Sequence, residues 1–435
     1  MAPLLSSSSE GKGEKGGGKF DAFSRSDHIY RTIDGHDLWT SVWLPKTIPE
    51  PEPEPKPPKP PKPTTLTEPG PNGDALSPPP SSAPPETQIL KVPVLIFFHG
   101  GGFIVGSRLY EPWWPLWLIE FASSQNAMIV APDYRLLPEA CGADIADDVD
   151  AFWSWFLSPS FPTLLTDIIT TNSKTVTVTV TVIPDLKRII TAGHSAGGSL
   201  ALLSALSLST LSLSQQPNPN PNAESAEIKI KAVISLYAPL DNSVPELKIS
   251  RPRKILGSTP PPPRQAEAFI RAYVQRTKGT TRSSGDPAEM WDLVACVLQQ
   301  GRLPRMFERR RDGRLDLLGV IERGYYYDDY EGENGDVNEM GIGVRRGLLA
   351  PMWIVHGTED SVVSSRCSTE FVRRVGEAAA SAAAAAGRDS RPSPGPEILL
   401  SLRAGEEHNF DAALGREAEG QGWIGEGCEF LLKFW

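Results

Sequence analysis

Gly193-His194-Ser195-Ala196-Gly197 sets a serine between two glycines in the pattern G-x-S-x-G. A short apolar run (Ile189, Ile190) precedes it, and a helix-compatible apolar run from Leu200 to Leu206 follows. Strand, sharp turn and helix make the setting in which such a serine becomes a raised nucleophile. The glycines are needed because a strained turn that lifts the hydroxyl clear of the backbone leaves no room for Cβ atoms two residues to either side. Serine is a weak nucleophile by itself. It needs a base held in one tautomer by a third group, and donors aimed at the oxyanion that forms on the attacked carbonyl. His408 is the expected base, Asp360 the expected orienting acid, and the order Ser, Asp, His matches one known arrangement of such a triad. His99-Gly100-Gly101-Gly102-Phe103 ends the apolar run Val92 to Phe98, and three glycines there form a backbone able to turn its amides toward an anion. The amides of Gly101 and Gly102, with that of Ala196, are the expected oxyanion donors.

Each assignment has a duller counterpart. Asp360 also suits a helix N-cap, since the segment after it reads as helical, and Glu359 is the second choice for the acid. His28 and His36 flank an early hairpin. His99, His194 and His356 sit inside the motifs, at positions that orient loops. Only His408 follows the last expected strand. Trp113, Trp114 and Trp117 serve equally as walls of an acyl pocket or as core-packing aromatics.

The elements that must position these residues alternate between strands and helices. A hairpin is expected around Asp34-Gly35, between His28 to Ile33 and Asp37 to Trp43. Strands follow at Val92 to Phe98, Ala127 to Ala131, before the serine, at Ile230 to Tyr237, Pro351 to Val355 and Ile398 to Leu402. The spacing of Ile145, Val149, Phe152 and Phe156 predicts a helix with one buried face. Helices are also expected over Arg264 to Gln275, Pro287 to Gln300, an Ala-rich run and the C-terminus. The pattern implies a mainly parallel sheet covered on both faces. Asp360 falls just past a strand's C-terminal end, where open α/β sheets place their sites. The strict Thr-Val alternation of Thr175 to Val182 reads as an insertion, an extra edge strand without chemistry.

The totals exclude several classes. A net charge of −10 with dispersed acids argues against a nucleic-acid partner. No apolar run reaches the ~18 residues of a transmembrane span, and the Ser/Gly/Lys-rich start lacks a signal peptide's apolar core. The four cysteines show no metal-ligand spacing and read as buried free thiols of a reduced, cytoplasmic protein. The 42 prolines are clustered, which predicts a disordered tail over 1–19 and one catalytic domain over 20–435. That domain carries a Pro-rich insertion at 45–88, a loop at 208–226, a lid at 241–346 and an Ala-rich insertion at 377–396. Without them roughly 325 residues remain, a plausible single α/β domain.

Together, His99-Gly100-Gly101-Gly102, the run Asp133-Tyr134-Arg135-Leu136 … Pro138-Glu139 and Gly193-His194-Ser195-Ala196-Gly197-Gly198 resemble the hormone-sensitive-lipase-like carboxylesterase branch of the α/β-hydrolases. The resemblance covers about residues 90–435, insertions excepted. It implies the α/β-hydrolase fold with a helical lid, and hydrolysis of small-molecule carboxylic esters of modest acyl chain without metal or organic cofactor. It also implies that Asp133 and Arg135 brace loops. His194 departs from the family's frequent Asp before the serine. Two other readings stand beside the esterase: an amidase, such as an aryl formamidase or deacetylase, and a small-molecule receptor on the same fold. Formamidases share Gly-His-Ser-Ala-Gly but usually follow two glycines with an aromatic, whereas three precede Phe103 here. Receptors of this kind lose the histidine, and His408 is present.

Overall fold

The computed structural model describes residues 18–47, 87–165, 170–173, 176–214, 228–307, 312–327, 349–385 and 395–435. Most of the Pro-rich stretch, nearly all of the expected tail, most of the 208–226 loop and the last part of the expected lid lie outside these residues.

The chain begins with a hairpin of β1 (Phe23–Ile33) and β2 (His36–Pro45). Asp34 and Gly35 take φ of 49° and 80°, the two left-handed residues that match a tight turn to the twist of its strands. β3 (Thr87–Phe98), α1 (Leu116–Ser124), β4 (Met128–Pro132), α2 (Gly142–Phe156), α3 (Phe161–Leu165) and β5 (Thr170–Ser173) follow. β6 (Val176–His194) delivers the serine, and α4 (Ala196–Ser214) leaves it. After β7 (Ile230–Leu236) comes an excursion holding α5 (Pro245–Lys248), α6 (Pro263–Arg276), α7 (Pro287–Gln299), α8 (Leu303–Phe307) and α9 (Leu317–Tyr327). β8 (Met352–Gly357), α10 (Arg366–Ala385), β9 (Ile398–Arg403) and α11 (Gly422–Leu432) complete the chain.

Among the described residues the strands form one sheet in the order β1-β2-β4-β3-β6-β7-β8-β9, with β5 against β6. Along the order from β4 to β9 each neighbouring pair is parallel; the hairpin joins β4, and β5 joins β6, antiparallel. The central strands are continuous apolar runs because both faces are covered. Val94, Ile96 and Phe98 enter one core with residues of α2, α4, α9 and α10, while Leu95 and Phe97 enter the other with α1 and α11.

Two expectations change, and one choice left open is decided. The Thr-Val alternation is neither separate from the serine's strand nor at the sheet's edge. It is the first part of β6, flanked by Thr87 to Val92 of β3 in parallel and by β5 in antiparallel. Pairing β3 so far back is non-local, and a local pattern does not reveal it. Trp114 and Trp117 are fully buried in the core beneath the sheet, so of the three tryptophans only Trp113 reaches the glycine loop. Lys19, assigned to the tail by composition, is anchored: its ammonium donates to the carbonyls of Trp114 (2.7 Å) and Ala412 (3.0 Å), and Phe20 stacks on Trp43.

Candidate active site

Four neighbouring parallel strands bring Ser195, Asp360 and His408, and with them Tyr237, to one end of the sheet. Ser195 follows β6, Tyr237 follows β7, Asp360 follows β8 and His408 follows β9. This is the carboxyl edge, where strand ends hand over to loops free to carry chemistry.

Ser195 sits in the left-handed region with φ 52°. Its amide donates to the Leu236 carbonyl at 2.7 Å, and its own carbonyl accepts from Gly198 at 3.0 Å, so both sides of the elbow are fixed. A side chain at Gly193 would overlap the Gly197 carbonyl, and one at Gly197 the Phe98 carbonyl. The two glycines of G-x-S-x-G therefore let β6, α4 and the end of β3 meet at backbone contact.

The glycine loop turns sharply. Gly101 and Gly102 have φ of 107° and 64°, conformations glycine adopts without penalty. The Gly101 carbonyl accepts from the amides of Ile104 (2.9 Å) and Val105 (3.0 Å). No hydrogen bond among the described residues uses the amide hydrogens of Gly101 or Gly102. The Gly100 amide donates to His194 Nε2 at 3.3 Å, and the His194 ring fills the space where a Gly100 side chain would be. His99 Nδ1 bonds the Gly100 carbonyl at 2.8 Å, and its ring stacks on Tyr134. Burial holds both imidazoles below the usual histidine range, His194 well below it. They brace the loop as neutral groups.

His408 and Asp360 meet directly, Nδ1 to Oδ2 at 2.7 Å. The other Asp360 oxygen accepts the amides of Val362 (2.9 Å) and Val363 (2.8 Å). Asp360 is therefore not a helix N-cap, because α10 starts only at Arg366; one oxygen closes a local turn and the other meets His408. Burial alone would raise the Asp360 pKa; the neighbouring His408 and His356 outweigh it and hold the carboxyl far below its ordinary value. Glu359 is exposed and takes no part. Glu407 ties the two loops together, its Oε1 accepting from the amides of Ser361 (2.6 Å) and His408 (2.8 Å).

One neighbour of the pair, His356, is a motif histidine expected to orient its loop; two more, Tyr237 and Asp411, escape sequence reasoning. His356 Nε2 lies 3.2 Å from Asp360 Oδ2 and 2.9 Å from the Val363 carbonyl, with Nδ1 bonded to Ser368 Oγ at 2.7 Å. Tyr237 sets its ring against His408 at 4.7 Å between centroids. Its hydroxyl donates to Asp411 Oδ1 at 2.8 Å, and Asp411 Oδ2 accepts Trp117 Nε1 at 2.9 Å. An acid three residues after a candidate base was the available signal for Asp411. Tyr237 had none beyond its place at a strand end. Asp133 and Arg135 are braces, Asp133 gripping Arg108 and Arg135 gripping Asp148.

The model of the alpha/beta hydrolase fold family matches residues 95–295. A probable carboxylesterase, M8, of Phoma sp. is 39% identical over 420 residues, 97% of this chain and 99% of that protein. A second, clz11 of Cochliobolus lunatus, is 40% identical over 264 residues, 60% of this chain and 97% of its own length. Among solved structures, an esterase of Pyrobaculum calidifontis aligns with a TM-score of 0.44 and 14% identity, over 94% of this chain and 85% of that one; the assignment rests on the family match and the fungal relatives. The chain belongs to the α/β-hydrolase fold family, in the hormone-sensitive-lipase-like branch of carboxylic ester hydrolases. Among the described residues no helix is long and apolar enough to cross a membrane.

Proposed function

We propose that this protein hydrolyses carboxylic esters of small or medium acyl chains through an acyl-enzyme on Ser195. His408 takes the serine proton and returns it to the leaving alcohol, then activates the water that releases the acid. Asp360 fixes the imidazole with Nδ1 protonated and stabilises its charged form. The amides of Gly101, Gly102 and Ala196 receive the oxyanion in each tetrahedral intermediate. The observation that carries this reading is the 2.7 Å bond from His408 Nδ1 to an Asp360 carboxylate that stays ionised. That bond leaves Nε2 as the basic nitrogen, on the same sheet edge as the left-handed Ser195. The described part of the 241–346 excursion lies beside the glycine loop, where a methyl group on Gly102 would touch Val294 of α7 at 3.5 Å, which supports reading it as a lid.

The test is hydrolysis of p-nitrophenyl esters from acetate to palmitate. Activity is expected on the short chains and should fall toward palmitate. Ser195→Ala is expected to lower kcat by about a millionfold, and Asp360→Asn by about ten-thousandfold. Turnover that survives Ser195→Ala, or a wild type inert to every ester and to organophosphates, would remove the reading.

A further inference from the structure

We infer that Arg282, in the connection between α6 and α7, is the positioning residue of the oxyanion turn and ties the excursion to the chemistry. The inference rests on reading Gly101 and Gly102 as the oxyanion donors.

The turn at 101–106 is short of internal support. Its shape depends on Ile104 and Val105 closing onto the Gly101 carbonyl, and everything beyond that comes from outside. The Arg282 guanidinium donates from Nη1 to the Ile104 carbonyl at 2.6 Å and from Nη2 to the Leu137 carbonyl at 2.9 Å. The same group grips Glu139 in a fork, Nε to Oε1 at 3.1 Å and Nη2 to Oε2 at 3.0 Å. Glu139 is almost wholly buried, and Tyr273 of α6 donates to it at 2.9 Å. Main-chain bonds run in parallel: Leu136 donates to the Arg282 carbonyl at 2.7 Å, Leu137 to Phe103 at 2.7 Å, and Gly106 and Gly285 exchange bonds of 2.8 and 3.1 Å.

The Ile104 residue is thus held at both ends. Its N–H closes the turn that presents the donors, and its carbonyl is clamped by a charge-assisted bond, about twice as strong as a neutral one. A planar, always-charged fork suits a site that must bind two carbonyls and a carboxylate at once. Tilting that segment redirects the Gly101 and Gly102 amides while leaving Ser195, His408 and Asp360, which stand on other loops, in place.

Removing Arg282 alone strands the buried Glu139 charge, so the test pairs the changes. The double variant Arg282→Gln/Glu139→Gln is measured beside Arg282→Lys, with active sites counted by organophosphate titration. On p-nitrophenyl butyrate the double variant should lose about ten- to a hundredfold in kcat with KM within about twofold. A trifluoromethyl ketone, whose serine adduct places an oxyanion in the hole, should weaken by the same factor. Arg282→Lys keeps the charge and should recover part of both. If kcat per titrated site and the ketone affinity match the wild type while only melting temperature falls, Arg282 is structural and the inference is overturned. Gly101→Ala, with Gly102→Ala in reserve should the first not fold, separates the two levels. Loss of kcat in the glycine variant but not in the arginine variants leaves the donor reading standing and removes this one. Full activity in the glycine variant removes the donor reading itself.

Discussion

At the scale of single residues, the site places one carboxylate where ionisation is favoured and another where it is not. Asp360 is ionised because it faces two histidines and two amides. Asp411, fully buried, has its pKa raised by burial, with the bonds from Trp117 and Tyr237 only partly opposing this. A carboxyl whose folded pKa lies above its unfolded value of about 3.9 loses stability as pH rises between the two values, and the loss is complete above the folded one. Asparagine cannot ionise. Its carbonyl would accept from Trp117, and its amide would donate to the Tyr237 oxygen while that hydroxyl turns to Asn409, whose Oδ1 lies 3.2 Å away. Asp411→Asn is therefore expected to melt at or above the wild-type temperature at pH 7, with the gap narrowing as pH falls toward 4. A variant less stable than wild type at pH 7 would show that the carboxylate's charge is needed there. Ser195, Asp360 and His408 were legible because their chemistry requires specific types at strand ends. Asp411 and Tyr237 were not, because a residue that steadies another through one contact has no type or spacing of its own.

Between elements, buried charge does the joining. Asp148 of α2 is completely enclosed. It receives Arg31 of β1 at 2.8 Å and Arg135, from the loop after β4, at 2.9 Å. Deleting one member of such a cluster leaves uncompensated charge and costs about 3–5 kcal/mol. Asp148→Ala is expected to lose that much in urea unfolding, and a loss under about 1 kcal/mol would mean that both arginines find water instead. The elements themselves were largely readable. Strands covered on both faces announce themselves as unbroken apolar runs, and α2 shows its buried stripe. What failed was context. Aromatics near a glycine loop suit a pocket or a core equally, and only the sheet's second face decides for Trp114 and Trp117. A Thr-Val alternation mimics a half-exposed edge strand, and its partner lies some ninety positions back in the chain.

Across the whole molecule, each of the four cysteines is free and buried. Burial raises the thiols of Cys367 and Cys428 and pushes Cys296 up to about 11, which suppresses the reactive thiolate. A disulfide reagent is expected to label the native protein slowly and all four thiols after unfolding in guanidinium, and a reductant should leave the melting temperature where it was. Fast native labelling, or a melt lowered by reductant, would contradict the thiol assignment. The long serine strand has a consequence of another kind. The ladder between β3 and β6 breaks register between Val92 and Val94, where the partner on β6 jumps from Pro184 to Ile189. On β6 the Thr-Val tract lies before the break, and the residues that lead to Ser195 lie after it. Adding or removing one Thr-Val pair keeps the alternation of the tract, so a variant shortened by one pair is expected to keep its ester hydrolysis if the offset at 185–188 takes up the change; a dead but folded variant would show that the tract and the elbow are one rigid strand.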